Sequence, residues 1–523
     1  MSQASRPPVP VSLARSRRTV IRLHPDDDVV VAAFRLGPGD PLDSEKVVVR
    51  DPIPPGHKVA VRRIARGTRV LRYGQVIGVA ATGIEPGQHV HTHNLRMLEF
   101  EREVTPSSAA RPTQYVPEPA TFDGIRRADG RVATRNFIGI ISSVNCSATV
   151  VQAVADAFRR DLRPEALEGF DRVDGVVPLT HGFGCAVDPE GEGLAVLQRT
   201  LRGYAQHPNF GAVIAIGLGC ETNQLSDLLE VDLSGIDRPV ASFNMQDAGG
   251  TRKSIERAVA MVRELLPDVD AVHREPVPAS ELTVGLQCGG SDGYSGITAN
   301  PALGAAVDRL VAHGGTAILS ETPEIYGAEH LLAERAHTPE VAERLYARFT
   351  WWQEYAKRMN AALDNNPSAG NKAGGLTTVL EKALGGVAKG GTTDLMEVYE
   401  YAEPVRERGL VFMDTPGFDP TSATGQVAGG ANLICFTTGR GSAYGCQPTP
   451  SLKLSTNNEL WLRQQEDIDI NCGGIVDGFT TVDEMGQQIF ERMLSCASGQ
   501  KSVSELHGYG QNEFVPWQLS AVM

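Results

Sequence analysis

The chain has 523 residues, with 49 basic against 63 acidic side chains and a formal net charge of −14. Length alone predicts about three domains, and the acidic balance argues against broad binding to nucleic acid or to anionic membrane surfaces. No run of about 18 apolar residues occurs, so no membrane span is expected.

The first residues carry Arg6, Arg15, Arg17 and Arg18 but no apolar stretch, so residues 1–18 read as a disordered tail rather than a secretory signal. Residues 19–100 read as a small β domain. TVIRL, VVVAAFRL, KVAVRRI and VIGVAATGI are short β-rich runs, and PPGHK, ARGT, RYGQ and EPGQH supply the turns between them. The proline-rich stretch within 101–122 reads as a linker. From residue 123 apolar runs alternate with helical patterns, which predicts parallel sheets covered by helices. One helix carries Val150, Val151, Val154 and Phe158 on one face, and a second carries Ile255, Val259, Val262 and Leu266. A third is expected with Asn300 as N-cap, Pro301 at its first position and Gly314 past its end. Residues 337–365 read as helical, with Trp351 and Trp352 packing. The fold expected is thus α/β, with a large α/β body of mainly parallel sheets, divided into a central domain over 123–400 and a C-terminal one over 401–523.

Four cysteines stand at the ends of apolar runs: Cys146 after FIGIISSVN, Cys185 after GVVPLTHGFG, Cys220 after AVIAIGLG and Cys288 after LTVGLQ. Strand ends are where open α/β sheets hold ligands, and soft thiolates gathered there suit iron or zinc. The bland alternative is small core residues, since free cysteine is usually buried. Eight cysteines in so long a chain do not form a disulfide framework, so free thiols in a reducing cytoplasm are expected. His89, His91 and His93 alternate in GQHVHTHN, so a strand there would aim all three at one face, fit for Fe(II), Mn(II) or Zn(II). The opposing reading is a solvated strand near a turn. His57 and Lys58 lie at a turn of the same domain with Tyr73 nearby, and a turn lysine is a general base only if buried near other charge. Glu221 follows Cys220. The glycine-dense CGGSDGYSGITANP, with Ser291, Asp292, Ser295 and Asn300, lets backbone N–H groups approach an anion. Asn371 and Lys372 in NPSAGNKAGG, and Thr437, Thr438 and Arg440 in FTTGRGSAYG, suit carboxylate or phosphate recognition. No Walker loop, dinucleotide fingerprint or HExxH is present.

PPGHKVA, RYGQVIG, GQHVHTHN, DGRVATRNFIGI, GLGCETNQ, CGGSDGYSGITANP, NPSAGNKAGGLTT and FTTGRGSAYG, in this order, resemble the altronate and galactarate dehydratase family over nearly the whole chain. The resemblance implies an SAF-like β domain over 19–100 and a catalytic α/β body. It implies a cytoplasmic homo-oligomeric hydro-lyase of sugar-acid catabolism, dehydrating a hexonate or hexarate to a 2-keto-3-deoxy acid with a divalent metal, most often iron. GQHVHTHN and PEIYGAEHLL look closer to the altronate branch, whereas GFDPTSATGQVAGG and DINCGG depart from its familiar wording. D-altronate is the substrate expected, with galactarate the alternative; sulfolactate sulfo-lyase and a non-enzymatic sugar-acid binder are the further ones.

Substrate chemistry sets what the site must supply. The C2 proton next to a carboxylate is weakly acidic, so its removal needs a base, stabilisation of an enediolate, and a proton for the leaving C3 hydroxyl. The small β domain is expected to close over the sheet edge and bring the histidines to a cysteine-lined crevice. His57, Lys58, His93 and Glu221 are the candidate catalytic groups. Ser291, Asp292, Asn300, Asn371, Lys372, Thr438 and Arg440 are the candidate substrate contacts. The metal is assigned to His89 and His91 or to Cys146, Cys185, Cys220 and Cys288. The cysteines would serve as thiolate ligands or hold an iron–sulfur cluster; the cofactor expected is a divalent metal, Fe(II) first, with Mn(II) or an iron–sulfur cluster as the alternatives.

Overall fold

The computed structural model describes residues 18–98, 105–229 and 238–519. The expected tail, apart from residue 18, and residues 101–104 of the expected linker lie outside them. Within the described residues no helix is long and apolar enough to cross a membrane.

The N-terminal region is all β. Strands β1 (Val20–Ile21), β2 (Val29–Ala32), β5 (Lys58–Ala60) and β8 (His89–Val90) form an antiparallel sheet in the order β1-β2-β5-β8. Beside it lie the hairpin β3 (Pro41–Leu42) with β4 (Val47–Val48), and the sheet of β6 (Arg69–Arg72), β7 (Gln75–Ala80) and β9 (Leu95–Arg96). Successive side chains of β2 alternate between two cores. Val30 and Ala32 pack with Leu36, Leu42, Ile53 and Val59 in a local core. Val29 joins Ala60, Ile77, Ile84 and Val90 in the core shared with Leu286, Leu303 and Leu384 of the body. This region is therefore welded to the body by a continuous apolar core, and the expected lid-like closure has no separate unit to move.

Strands β10 (Thr121–Arg126), β11 (Val132–Ala133) and β16 (Arg274–Pro278) form a small antiparallel sheet, in the order β11-β10-β16. Between β11 and β16 in the chain lies a four-stranded parallel sheet of β12 (Phe137–Ser142), β13 (Gly175–Leu179), β14 (Phe210–Gly217) and β15 (Val240–Asn244), in the order β13-β12-β14-β15. The helix Ala148–Asp156 covers it with Val150, Val151 and Val154, and Phe158 packs just beyond the helix end. The helix Thr251–Asp270 adds Val262 and Leu266, with Ile255 and Val259 half-covered at the rim.

The remaining strands are β17 (Thr283–Cys288), β18 (Thr316–Leu319), β19 (Leu395–Tyr399), β20 (Gly409–Met413), β21 (Leu433–Thr438), β22 (Ser451–Ser455) and β23 (Ile470–Asn471). They build one seven-stranded parallel sheet, in the order β19-β20-β18-β17-β21-β22-β23. The division expected at 400/401 passes between β19 and β20, which are paired neighbours in this sheet. The charged segment between them reads as a boundary but is a crossover connection. The helix Ala299–Ala312 starts two residues earlier than expected, with Thr298 at the N-cap position, and Gly314 follows its end at φ 84°. Asn300 is drawn inside the first turn, where its side chain is buried. The helix Pro339–Arg358 places Trp352 against Asp414, with Nε1 donating to Oδ1 at 2.7 Å.

Candidate active site at the edge of the seven-stranded sheet

From β17 the chain builds β18 on one side and returns to place β21 on the other. The C-terminal ends of β17 and β21 therefore flank a topological switch point, the usual ligand crevice of open parallel sheets. That crevice is lined by Cys288, Glu324, Ser368, Asn371, Lys382 and Asp419, with Gly289 and Gly290 on its floor. A Cβ on Gly289 would lie 2.2 Å from Asp419 Oδ2, so only glycine lets Asp419 approach.

Two buried lysine–glutamate pairs organise the charge. Lys389 Nζ lies 2.7 Å from Glu321 Oε2 and 3.0 Å from Cys288 Sγ. Lys382 Nζ lies 2.6 Å from Glu324 Oε1 and 3.0 Å from Asn366 Oδ1. Cys288 Sγ is 3.6 Å from each glutamate. Glu321 sits at φ 66°, a left-handed conformation rare for a side-chain-bearing residue, and its Oε1 is buried without a partner. Buried ion pairs stabilise little against their own desolvation, so two of them at a switch point signal chemistry more than stability. Burial, then the Glu321 and Glu324 charges, push the Asp419 carboxyl up to about 8. At neutral pH Asp419 is therefore a proton donor. Burial and Glu321 also raise the Cys288 thiol, which stays neutral.

A second polar cluster lies where β5 and β8 pair, with Val59 opposite His89. His57 Nδ1 is 3.0 Å from His89 Nε2, and ligating atoms of His57, His89 and His91 lie within 4.8 Å of one another. His91 Nδ1 is buried and has no partner. Burial, then His57 and His93, lower His89 to about 4; burial, then Lys58 and His57, lower His91 to about 3. Both rings are neutral at pH 7. The strand ends at Val90. His91 N–H donates to Asn94 Oδ1 at 2.9 Å and the chain turns, so the expected alternation stops. His93 is left exposed on the turn, its ring 5.5 Å from that of His89, and His57 takes its place in the cluster.

Lys58 is fully buried, with Nζ 2.7 Å from Gly375 O and 2.9 Å from Glu381 Oε2. Arg72 pairs with the other oxygen of Glu381 and donates to Gly293 O at 2.9 Å. Burial disfavours the Glu381 carboxylate, but Lys58 and Arg72 outweigh it and hold its pKa at about 2. Lys58 thus fastens the N-terminal region to the body, and burial lowers its pKa to about 8 against the opposing charge of Glu381. The helix Ala369–Ala373 joins the two clusters. Asn371 lines the crevice and donates to Ser291 O at 2.8 Å, while the carbonyl of Ala373 lies 3.3 Å from His57 Nε2.

Family models match the described regions in order. Residues 18–98 match the altronate/galactarate dehydratase SAF domain, 124–270 the second domain of D-galactarate dehydratase/altronate hydrolase, and 279–522 the C-terminal domain of D-galactarate/altronate dehydratase. The chain is 39% identical over 493 residues to the galactarate dehydratase (L-threo-forming) of Escherichia coli K12, covering 92% of this chain and 93% of that one. It is 33% identical over 491 residues to the altronate dehydratase of Bacillus subtilis 168, covering 92% and 96%. The chain belongs to the altronate/galactarate dehydratase family. It is also 32% identical over 402 residues to the (2R)-sulfolactate sulfo-lyase subunit beta of Chromohalobacter salexigens, covering 76% of this chain and 97% of that one. Membership in a family of hydro-lyases sets aside the non-enzymatic alternative.

The family implies a divalent metal, and among the described residues two groups of three could hold one ion. His57, His89 and His91 fit: neutral imidazoles, one with an orphaned buried nitrogen, suit a borderline cation. Cys288, Glu321 and Glu324 fit less well, because Lys389 already contacts Cys288 Sγ and Glu321 Oε2, and Lys382 contacts Glu324 Oε1.

The dehydratase fold separates the other expected site residues. Asp292 is caged by Thr456, Asn457 and Ser295. Asn300 spends its amide on Gly385 O and its carbonyl on Thr437 Oγ1, and Thr438 Oγ1 accepts from Gly441 N–H, so all three are committed within the protein. Arg440 is exposed and lines a neighbouring cavity with Arg35 and Arg463, and Lys372 is half-buried near it. Of the four cysteines only Cys288 reaches the crevice. Cys146, Cys185 and Cys220, with Glu221, stand on the four-stranded sheet. Sequence reasoning missed Glu321, Glu324, Lys382, Lys389, Asp419 and Glu381. The first two follow the apolar run TAILS, so the strand-end rule applied to the cysteines would have found them.

Proposed function

We propose that this chain removes water from a six-carbon sugar acid at the Cys288–Asp419 crevice, giving a 2-keto-3-deoxy acid. The observation that carries the reading is the pairing of a buried carboxylate–lysine couple, Glu324 with Lys382, and a neutral carboxyl, Asp419, around one crevice. Glu324 takes the C2 proton. Lys382 and Lys389 offset the negative charge of the enediolate as it forms. Asp419 gives its proton to the C3 hydroxyl as it leaves, and the enol product tautomerises to the 2-keto acid. A divalent ion, Fe(II) before Mn(II), held by His57, His89 and His91 would supply Lewis-acid polarisation of a substrate oxygen.

Galactarate is the first substrate on this reading, supported by the higher identity to a galactarate dehydratase, 39% against 33%. Altronate is the second, supported by the GQHVHTHN phrase and by identity to altronate dehydratases. The test is formation of 2-keto-3-deoxy acid from galactarate, altronate and sulfolactate side by side, anaerobically with Fe(II) and thiol. Turnover of galactarate or altronate that is lost in Asp419→Asn supports the reading. Release of sulfite from sulfolactate alone, or unchanged turnover in Glu324→Gln, would sink it.

A further inference from the structure

Cys146, Cys185 and Cys220 belong to neither polar cluster, and all three are exposed, whereas the other five cysteines are buried. Free cysteine ordinarily behaves as a core residue, so three exposed thiols on one sheet edge need a reason.

Strand register brings them together. Ser142 of β12 pairs with Ile216 of β14, and Cys146 and Cys220 each stand four residues further on. Ile141 of β12 pairs with Leu179 of β13, and Cys185 follows on the loop from that strand. The three loops thus leave three adjacent parallel strands, spaced about 4.8 Å apart, and they are stitched to one another. Asn145 N–H, next to Cys146, donates to Phe183 O at 2.9 Å. Asn223 N–H donates to Gly184 O at 2.9 Å, and its side chain donates to Ser143 O at 2.8 Å. Glu221, fixed by Ser143 Oγ at 2.6 Å and the N–H groups of Leu218 and Gly219, locks the loop of Cys220.

The backbone is shaped to present the thiols. Cys185 is flanked by Gly184 at φ 102° and Ala186 at φ 53°, and Cys220 follows Gly219 at φ 124°. Ala186 carries a side chain in the left-handed region, a strain that persists where surrounding structure imposes it and that gathers at functional sites. A Cβ on Gly184 would lie 2.4 Å from Ser143 O, so the close approach of the Cys185 and Cys146 loops depends on glycine. Gln246 Nε2 lies 3.3 Å from Cys220 Sγ, placed to donate to a thiolate.

We propose that Cys146, Cys185 and Cys220 hold an iron–sulfur cluster at the C-terminal edge of the four-stranded sheet. A single ion is the poorer occupant. Zinc with sulfur at about 2.3 Å in a tetrahedron needs thiolates about 3.8 Å apart, and among the described residues no trio within 4.8 Å includes these three. An inorganic iron–sulfide core spans a wider set of thiolates. Each thiol gives up one proton as its Fe–S bond forms, and iron in both oxidation states with sulfide is supplied from outside. Three protein ligands leave one metal of a four-iron core without a protein ligand, open to water or to an oxygen of a small molecule. This inference does not rest on the proposed dehydration, because its readout is composition.

The test is anaerobic reconstitution of the full chain with iron, sulfide and thiol reductant, then assay of bound iron and acid-labile sulfide. About four of each per chain are expected for a cubane core. Cys146→Ser, Cys185→Ser and Cys220→Ser should each lose most of the sulfide, while His91→Ala and Cys288→Ser keep it. All three thiols should resist iodoacetamide in the loaded protein and react in the stripped one. Iron or zinc bound without sulfide, or sulfide unchanged in the three serine variants, would overturn the proposal. The exposed serine substitutions remove no core packing, so folding losses do not cloud the readout.

Discussion

The two parallel sheets place opposite chemistry on equivalent edges. At the ends of β12, β13 and β14 the polar groups are exposed thiols on hydrogen-bonded loops with left-handed residues. At the ends of β17 and β18 they are buried lysine–glutamate pairs around a neutral thiol. One topology thus carries exposed thiols at one edge and buried ion pairs at the other. The difference lies in what covers each edge. The crevice edge is roofed by the helix Ala369–Ala373 and the helix Val379–Val387, which carries Lys382, whereas the three thiols of the other edge are exposed among the described residues.

The sharpest way to break this contrast is at Glu324. Glu324→Gln keeps the shape and removes the base, so kcat for the sugar acid should fall by about 10²- to 10⁴-fold with an unchanged circular dichroism spectrum. Next in size is the fastening of the N-terminal region. Glu381→Gln leaves Lys58 and Arg72 buried without their counter-charge and should cost about 3–5 kcal/mol in urea unfolding. The folded carboxyl lies at about 2, below its ordinary value, so its contribution is full above the unfolded pKa and is lost as pH falls towards 2. In Glu381→Gln that acid-side loss should flatten. Asp419 gives a smaller, pH-shaped effect. As a proton donor with pKa about 8, it should make turnover of the unaltered chain fall towards tenfold per pH unit above 8. The smallest change is on the thiol edge, where Cys220→Ser should alter the unfolding free energy of the cluster-free protein by no more than about 0.5 kcal/mol. A loss as large as that of a core substitution there would erase the contrast.

The architecture was legible wherever periodicity carried it. Val150, Val151 and Val154 on one helix, and turn phrases such as PPGHK and RYGQ, led directly to α/β body and β domain. The site was legible only in part. The strand-end rule found Cys288 but was applied to the cysteines alone, so Glu321 and Glu324 after the run TAILS were passed over. Lys58 reads as a turn lysine, and its burial depends on Glu381, 323 residues away. His93 was grouped with His89 and His91 because nothing in the spacing of HVHTHN reveals that the strand stops at Val90. Asn300 looked like a cap, but its amide meets Gly385 across the helix packing instead.

The apolar core shared by Ala60, Ile77, Ile84 and Val90 with Leu286, Leu303 and Leu384 has a consequence for how the molecule comes apart. Peeling the N-terminal strands away would bare that shared face and strand the charges of Lys58, Arg72 and Glu381 together. Neither half has a low-energy intermediate to stop in, so denaturant should melt the two in a single step, and amide protons of β5 and β17 should exchange at similar rates.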